Sequence, residues 1–226
     1  MQALSDKIVF ITGASSGIGK SCAEQFAAQG ANLILTARRI DRITQLADSL
    51  KTQFGINVLP IQLDVQRAEQ VNTIVSHLPD QFKKIDFLIN NAGLALTTDS
   101  IQEGDIRNWD TMIDTNLKGL LYVTRAILPG MIEREQGHII NIGSVAGHEY
   151  YPRGNIYSAT KHAVKAISKS LRLDLLGTRI RVSEIDPGAV NTEFSEVRWN
   201  DKAHAEAFYA GFTPLIANDI ADAVVY

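Results

Sequence analysis

The stretch "FITGASSGIGKSCAEQFAAQG", residues 10–30, decides how the chain folds. A β-branched run leads into it, and an amphipathic run of helix formers leaves it. Between them Gly13, Gly17 and Gly19 stand in G-x-x-x-G-x-G spacing. A turn without Cβ atoms lets backbone N–H groups close on a phosphate, and the helix N-terminus adds partial positive charge. Ser15 and Ser16 add hydroxyl donors where a pyrophosphate or ribose would lie, and Ile18 sits within the same turn. A glycine motif alone is weak. Its place after a strand and at the opening of a helix gives it the context of a dinucleotide-binding turn.

The same alternation continues outward. Apolar runs at 7–12, 32–36, 56–64, 85–90, 137–144 and 180–186 read as strands covered on both faces. Helix-like segments lie near 17–29, 40–54, 67–78, 105–134 and 155–177. Strand, helix, strand, repeated, implies right-handed crossovers and a parallel sheet. The expected fold is α/β: a Rossmann-type, doubly wound parallel sheet flanked by helices on both faces, in a single domain over 1–226. Residues 191–213, "NTEFSEVRWNDKAHAEAFYAGFT", break the rhythm and follow a strand end, where such folds bind ligands. We read them as an irregular substrate loop. The closing "DIADAVVY" begins an amphipathic helix with no strand after it, which suggests a C-terminus cut short.

Bulk properties narrow the classes further. At 226 residues and 45% hydrophobic, the chain can bury a sizeable core. A net charge of -3 without long single-sign blocks argues against a dedicated nucleic-acid or membrane surface. One cysteine, Cys22, excludes an internal disulfide and fits a reducing cytoplasm. The N-terminal "MQALSDKIVFITG" has no leader pattern, and no apolar run is long enough for a membrane helix.

Cofactor preference is written at the end of the second strand. An acid there would hold the adenosine ribose hydroxyls, whereas arginine accommodates a 2′-phosphate. The text is "LILTARRIDR": Ala37 stands where the acid is expected, and Arg38 and Arg39 follow. Guanidinium groups pair with phosphate and a carboxylate would repel it, so NADP is expected rather than NAD. Asp64, ending the third strand, is the candidate partner of the adenine amino group, with Val65 beside it.

"NIYSATK", 155–161, puts Tyr157 and Lys161 on one helix face, a turn apart. A free tyrosine titrates near ~10 and is a poor base at neutral pH, so a neighbouring ammonium that stabilises the phenolate would help it move a proton. The histidines show no ligand spacing, and this chemistry asks for no metal.

Together, "TGASSGIG" (12–19), "NNAG" (90–93), "DTNLKG" (114–119), "INIGSVAG" (140–147), "YSATK" (157–161) and "DPGAVNT" (186–192) resemble the short-chain dehydrogenase/reductase family over nearly the whole chain. The resemblance implies Tyr157 as general acid or base and Lys161 as the group that binds the nicotinamide ribose and lowers the phenol's pKa. It implies Ser144 as hydrogen-bond partner of the substrate oxygen and Asn116 as holder of a relay water. Asn91, Ala92 and Gly93 would line the adenosine side. Pro187, Gly188, Val190 and Thr192 would meet the carboxamide and pyrophosphate.

Longer strings, "NNAGLAL", "WDTMIDTNLKGLLYVTRAILPGMIEREQGHIINIGS" and "NTEFSEVR", resemble the bacterial NADP-dependent 3-hydroxy acid dehydrogenase branch, which oxidises serine and L-allo-threonine and reduces malonic semialdehyde. Such an acid needs a cation. Arg198 in the 191–213 loop is preferred over Arg153, because a lid arginine could close on the substrate and exclude water. A 3-oxoacyl-carrier-protein reductase would share every catalytic residue but would favour a basic docking patch. A dinucleotide-sensing regulator could lose the tyrosine or lysine, yet all four catalytic positions are filled. The resemblance also implies a homotetramer built through the helices at 105–134 and 155–177.

Overall fold

The computed structural model describes residues 3–226; Met1 and Gln2, which begin the N-terminal stretch quoted above, lie outside them. The first half runs β1 (Ile8–Thr12), α1 (Gly17–Ala28), β2 (Asn32–Ala37), α2 (Ile40–Phe54), β3 (Val58–Gln62), α3 (Ala68–Ser76) and β4 (Phe87–Asn90). The second half continues with α4 (Ile106–Ile113), α5 (Leu120–Glu133), β5 (Gly137–Ile142), α6 (Asn155–Asp174) and β6 (Ile180–Ile185). The six strands pair in parallel in the order β3-β2-β1-β4-β5-β6. Strand order reverses between β1 and β4. A crevice therefore opens at the carboxyl ends of those two strands, where a doubly wound sheet binds its ligand.

Strand periodicity builds both faces of the core. Val9 and Ile11 of β1 join Leu33, Leu35, Ile89 and Ile140 under Cys22 and Phe26 of α1 and Ile43 and Leu50 of α2. Ile8 and Phe10 point the other way, with Ile34, Leu88 and Ile139, toward Val71 of α3 and Val123, Ile127 and Met131 of α5. Burial on both faces explains why the strands read as continuous apolar runs rather than as alternating ones. Each fully buried Leu, Ile or Phe contributes about 1.5–3 kcal/mol of transfer free energy.

A buried polar ladder fixes the helices at the crevice end. Asn90 at the end of β4 donates to Thr124 Oγ1 of α5 and to Asn141 Oδ1 of β5, both at 2.9 Å. Asn141 in turn donates to Ser168 Oγ of α6 at 2.9 Å. These side-chain bonds between layers favour one arrangement of α5 and α6 over others, although Asn90 Oδ1 is left without a partner.

Two regions differ from the sequence expectation. The helix expected over 105–134 is interrupted by a π turn at Asp114–Gly119. Gly119 lies against the Val65 side chain at 2.6 Å from where a Cβ would stand, so no larger residue fits there. A single widened turn leaves the surrounding helical periodicity almost unchanged, which hides it from a pattern reading. Nor is the segment at 191–213 an irregular loop. It holds α7 (Glu193–Trp199) and α8 (Lys202–Tyr209), bracketed by the short pair β7 (Val190–Asn191) and β8 (Leu215–Ile216). Thr192 Oγ1 caps α7 through Phe194 N at 3.3 Å, and Asp201 Oδ1 caps α8 through His204 N at 3.1 Å. Asn200, left-handed at φ 50°, turns the chain between them. α9 (Ala217–Val225) follows and packs Ile220 and Val224 into the core. Among the described residues no helix is long and apolar enough to cross a membrane.

Candidate active site

The glycine turn sits at the mouth of the crevice. Gly13 and Gly17 adopt φ 68° and 53°, which side chains rarely tolerate. A Cβ on Gly13 would come within 2.9 Å of Asn91 Nδ2, and one on Gly17 within 3.3 Å of the Thr192 side chain. Gly19 backs the turn: a Cβ there would strike Asn91 Nδ2 and Gly13 O. Asn91 Nδ2 itself donates to Thr12 O at 2.9 Å and Gly13 O at 3.2 Å, which fixes the turn to the end of β4.

Beyond the turn, β2 ends on buried Ala37, and exposed Arg38 and Arg39 follow. Arg39 donates to Ser15 Oγ at 3.0 and 3.2 Å and to Ser16 Oγ at 2.8 Å. It also meets Glu193 Oε2 at 2.9 Å, while Arg42 meets Glu193 Oε1 at 2.6 Å. β2 ends on Ala37 rather than on an acid, Arg38 and Arg39 follow it, and the Glu193 carboxylate that reaches this end is bound by Arg39 and Arg42. This donor set fits a phosphorylated ribose better than a free diol.

The proton-handling groups lie at the far end of the crevice. Ser144 caps a short 3₁₀ turn just beyond β5, its Oγ accepting from Ala146 N at 3.1 Å, and its backbone N donates to Asp186 Oδ1 at 3.1 Å. The Ser144 hydroxyl faces the Tyr157 phenol closely enough to favour its charged form. Lys161 is buried and donates to Ile142 O at 2.8 Å, with its Nζ 5.8 Å from the centre of the Tyr157 ring. Burial lowers the Lys161 ammonium to about 8, against the opposing pull of Asp186 and Glu184.

For Tyr157 the expected lowering of the phenol meets a stronger competitor. Burial pushes it up to about 12; the nearby Ser144 hydroxyl works downward, Tyr151 adds to the rise, and the Arg198 charge opposes it. Burial disfavours the phenolate, and only positive charge or donors brought close can offset that.

α7 roofs the site. Phe194 packs edge-on against Tyr157 with ring centres 5.6 Å apart. Ser195 and Tyr209 share a 2.7 Å hydrogen bond, and Tyr209 donates to Val190 O at 2.7 Å, tying α7 and α8 to β7. Trp199 and Phe208 meet at a tilt, with ring centres 5.3 Å apart. Arg198 lies among aromatic faces, 5.4 Å from Tyr151, 5.9 Å from Tyr157 and 5.5 Å from Trp199. Its Nη2 donates to Tyr151 Oη at 3.1 Å, yet its Nε and the adjacent Trp199 Nε1 are buried without a partner.

One cavity of about 650 Å³ gathers most residues singled out from the sequence. Gly13, Ser15, Ser16, Gly17, Ile18, Arg38, Arg39, Asp64 and Val65 line its cofactor end. Asn91, Ala92, Gly93, Ser144, Tyr157, Lys161, Pro187, Gly188, Val190, Thr192 and Arg198 line the rest. Two of the set do not reach it. Gly19 lies behind the turn. Asn116 is buried in the π turn, where its amide accepts from Leu94 N and donates to Leu94 O, both at 2.8 Å, and donates to Thr160 Oγ1 at 3.1 Å. Its side chain therefore clamps the chain after β4. Arg153 lines only a minor recess of about 10 Å³ behind Tyr157. Sequence reading missed Arg42, Tyr151, Glu193 and Phe194. Arg42 alone carried a signal, three positions after Arg39 on a helix and so on the same face.

The crevice has the layout of a dinucleotide-dependent oxidoreductase. A family model described as short chain dehydrogenase matches residues 7–203, and the chain belongs to that family. NADP-dependent 3-hydroxy acid dehydrogenase YdfG of Salmonella typhi is 48% identical over 219 residues, covering 96% of this chain and 87% of its own. Sulfoacetaldehyde reductase 2 of Chromohalobacter salexigens is 45% identical over 221 residues, covering 97% and 87%. A solved structure of the closed form of serine dehydrogenase complexed with NADP+ superposes with a TM-score of 0.92 at 45% identity, covering 96% of this chain and 87% of that one.

Proposed function

We propose that the chain is an NADP-dependent dehydrogenase that interconverts the hydroxyl and carbonyl forms of small 3-hydroxy acids of the serine, L-allo-threonine and 3-hydroxypropionate type. The observation that carries this reading is Arg198. Its guanidinium faces the Tyr157 ring inside the cavity with Nε buried and unpartnered. An acid group of a substrate whose oxygen reached Tyr157 and Ser144 would satisfy it. The relatives named for 3-hydroxy acids and for sulfoacetaldehyde support an anionic substrate.

The cofactor would rest with its pyrophosphate on the turn at Gly13–Gly19 and on Thr192, its 2′-phosphate toward Arg38 and Arg39, and its nicotinamide ribose by Lys161. Bound there, the nicotinamide supplies or accepts the hydride. Tyr157 gives its phenolic proton to the carbonyl oxygen during reduction or takes it back during oxidation. Ser144 orients that oxygen by hydrogen bonding. Lys161, lowered to about 8, can exchange a proton near neutral pH and supplies positive charge beneath the phenol. Arg198 draws the acid group inward and opposes the burial that keeps Tyr157 protonated.

A panel with NADP and NAD tests this: malonic semialdehyde, serine, sulfoacetaldehyde and an acetoacetyl thioester, followed by nicotinamide absorbance. Turnover of the small acids with NADP is expected. Preference for the thioester would overturn the substrate assignment. Tyr157→Phe should lower kcat about 10²–10⁴-fold while cofactor binding persists. A cytoplasmic homo-oligomer accompanies this reading, with exposed Leu121 and Ile132 of α5 as candidate apolar contacts.

A further inference from the structure

Glu193 joins two parts of the site that are far apart in the chain. Its two carboxylate oxygens are taken separately by Arg39 at 2.9 Å and Arg42 at 2.6 Å. Arg39 is one of the guanidinium groups assigned above to the 2′-phosphate, and the same side chain holds Ser15 and Ser16 of the glycine turn. Glu193 is also the first residue of α7. Its neighbours on either side reach other parts of the site: Thr192 lies over Gly17, and Phe194 packs on Tyr157. Burial raises the Glu193 carboxyl, but the bonds from Arg39 and Arg42 outweigh this and hold it below its ordinary value.

A carboxylate bridging two arginines offers them what a phosphate monoester offers: two anionic oxygens in a fork. We propose that Glu193 is an internal competitor for the 2′-phosphate of the cofactor. It holds Arg39 and Arg42 in place, weakens binding of the phosphorylated cofactor, and ties arrival of the phosphate to release of the first turn of α7. This rests on the assignment of Arg39 to the 2′-phosphate and goes further by naming the residue that opposes it. The arrangement has a direct consequence. When the 2′-phosphate displaces the carboxylate from Arg39, Glu193 loses an anchor, and Phe194 one residue on can adjust against Tyr157. The adenosine end of the cofactor then acts on the lid over the reacting end without touching the substrate.

The test uses the full chain with 2′,5′-ADP and 5′-AMP as probes, so that binding is read without turnover. Dissociation constants are measured by calorimetry for wild type, Glu193→Gln and Arg39→Ala. Loss of two exposed ion pairs that compete with the phosphate should tighten 2′,5′-ADP on Glu193→Gln by about 3- to 10-fold, with 5′-AMP changed by less than about 2-fold. Trypsin cleavage after Arg198 or Lys202 reports the lid. It should rise in wild type with 2′,5′-ADP but not with 5′-AMP, and should already be raised in Glu193→Gln without ligand. Arg39→Ala should lose most of the preference for 2′,5′-ADP over 5′-AMP. If that preference survives in Arg39→Ala, the phosphate assignment fails and the competitor with it. If Arg39→Ala loses the preference while Glu193→Gln binds 2′,5′-ADP no tighter than wild type, the competitor alone is overturned.

Discussion

Replacing Arg198 with leucine separates what the guanidinium does for the substrate from what it does for the tyrosine. The side chain is half-buried, bonds Tyr151 Oη through Nη2, and leaves Nε buried without a partner. A hydrogen bond to a charged group contributes about 1.5–3 kcal/mol, so an acid held here should lose about 10- to 150-fold in kcat/KM when the guanidinium is removed. A neutral aldehyde of similar length has no acid to lose and should escape that part. Both substrates share a second effect. The Arg198 charge opposes the burial that raises Tyr157, so its removal moves the phenol further up and shifts the tyrosine-dependent limb of the pH profile to higher pH. The ratio of kcat/KM for malonic semialdehyde to that for the neutral aldehyde cancels this shared part and isolates acid recognition. Arg198→Lys keeps the charge but not the fork and should fall between the two. Because α7 is fixed to residue 97 through the backbone carbonyl of Arg198, which accepts from Thr97 N at 2.8 Å, the leucine variant keeps that anchor. Its melting temperature should match or exceed wild type, since an unpartnered buried polar group has been removed. Equal losses on the acid and the neutral aldehyde would refute Arg198 as the acid-binding group.

Other perturbations read the rest of the site. Lys161 falls from 10.5 to about 8 on burial, so the unfolded chain binds its proton more tightly and the native state is weakened as pH drops through that window. Lys161→Met should therefore be inactive yet more stable to urea at pH 7, by up to about 3 kcal/mol, with the advantage shrinking as pH climbs from 8 to 10.5; a variant less stable at pH 7 would contradict this. Asn116→Ala strips partners from Leu94 N, Leu94 O and Thr160 Oγ1 in a buried turn, and urea unfolding should show a loss of about 1–3 kcal/mol or more. Gly143→Ala puts a methyl group into the Asp186 carboxylate, which holds Ser144 N and His148; kcat should drop at least about tenfold while dinucleotide affinity, measured separately, stays within about 2-fold of wild type.

The parts of the chain legible in sequence are those governed by local rules. The glycine turn, the doubly covered strands and the i, i+4 pair Tyr157–Lys161 each require particular residue types at fixed spacing, and each lies in its expected element. The lid was not legible. α7 spans seven residues, too few for a periodic signal, and it forms because Thr192 caps it and aromatic side chains of α8 cover it. Glu193 reads as an ordinary acid in a polar stretch; only the fold carries it 151 positions back along the chain to Arg42. The phenol illustrates a different gap. Spacing puts an ammonium near Tyr157, but how far burial counteracts it depends on what covers the ring, and Phe194 and Tyr151 come from segments whose placement no local pattern specifies.

What those hidden contacts share is one short helix. From its cap Thr192 to Arg198, α7 places a side chain on the glycine turn, on the arginine pair, on Tyr157, on Tyr209 and on Tyr151. A structural lid needs only its capping and aromatic contacts. This one also buries Arg198 Nε and Trp199 Nε1 without partners, at a cost of about 1–3 kcal/mol for each unsatisfied group. Both residues line the cavity. The same helix carries Glu193 at its start, which gives the lid an opposing electrostatic tie to the cofactor end. On the proposed function, binding energy from the adenosine phosphate and from a substrate acid would converge on α7, remote from the atoms that exchange hydride and able to orient them.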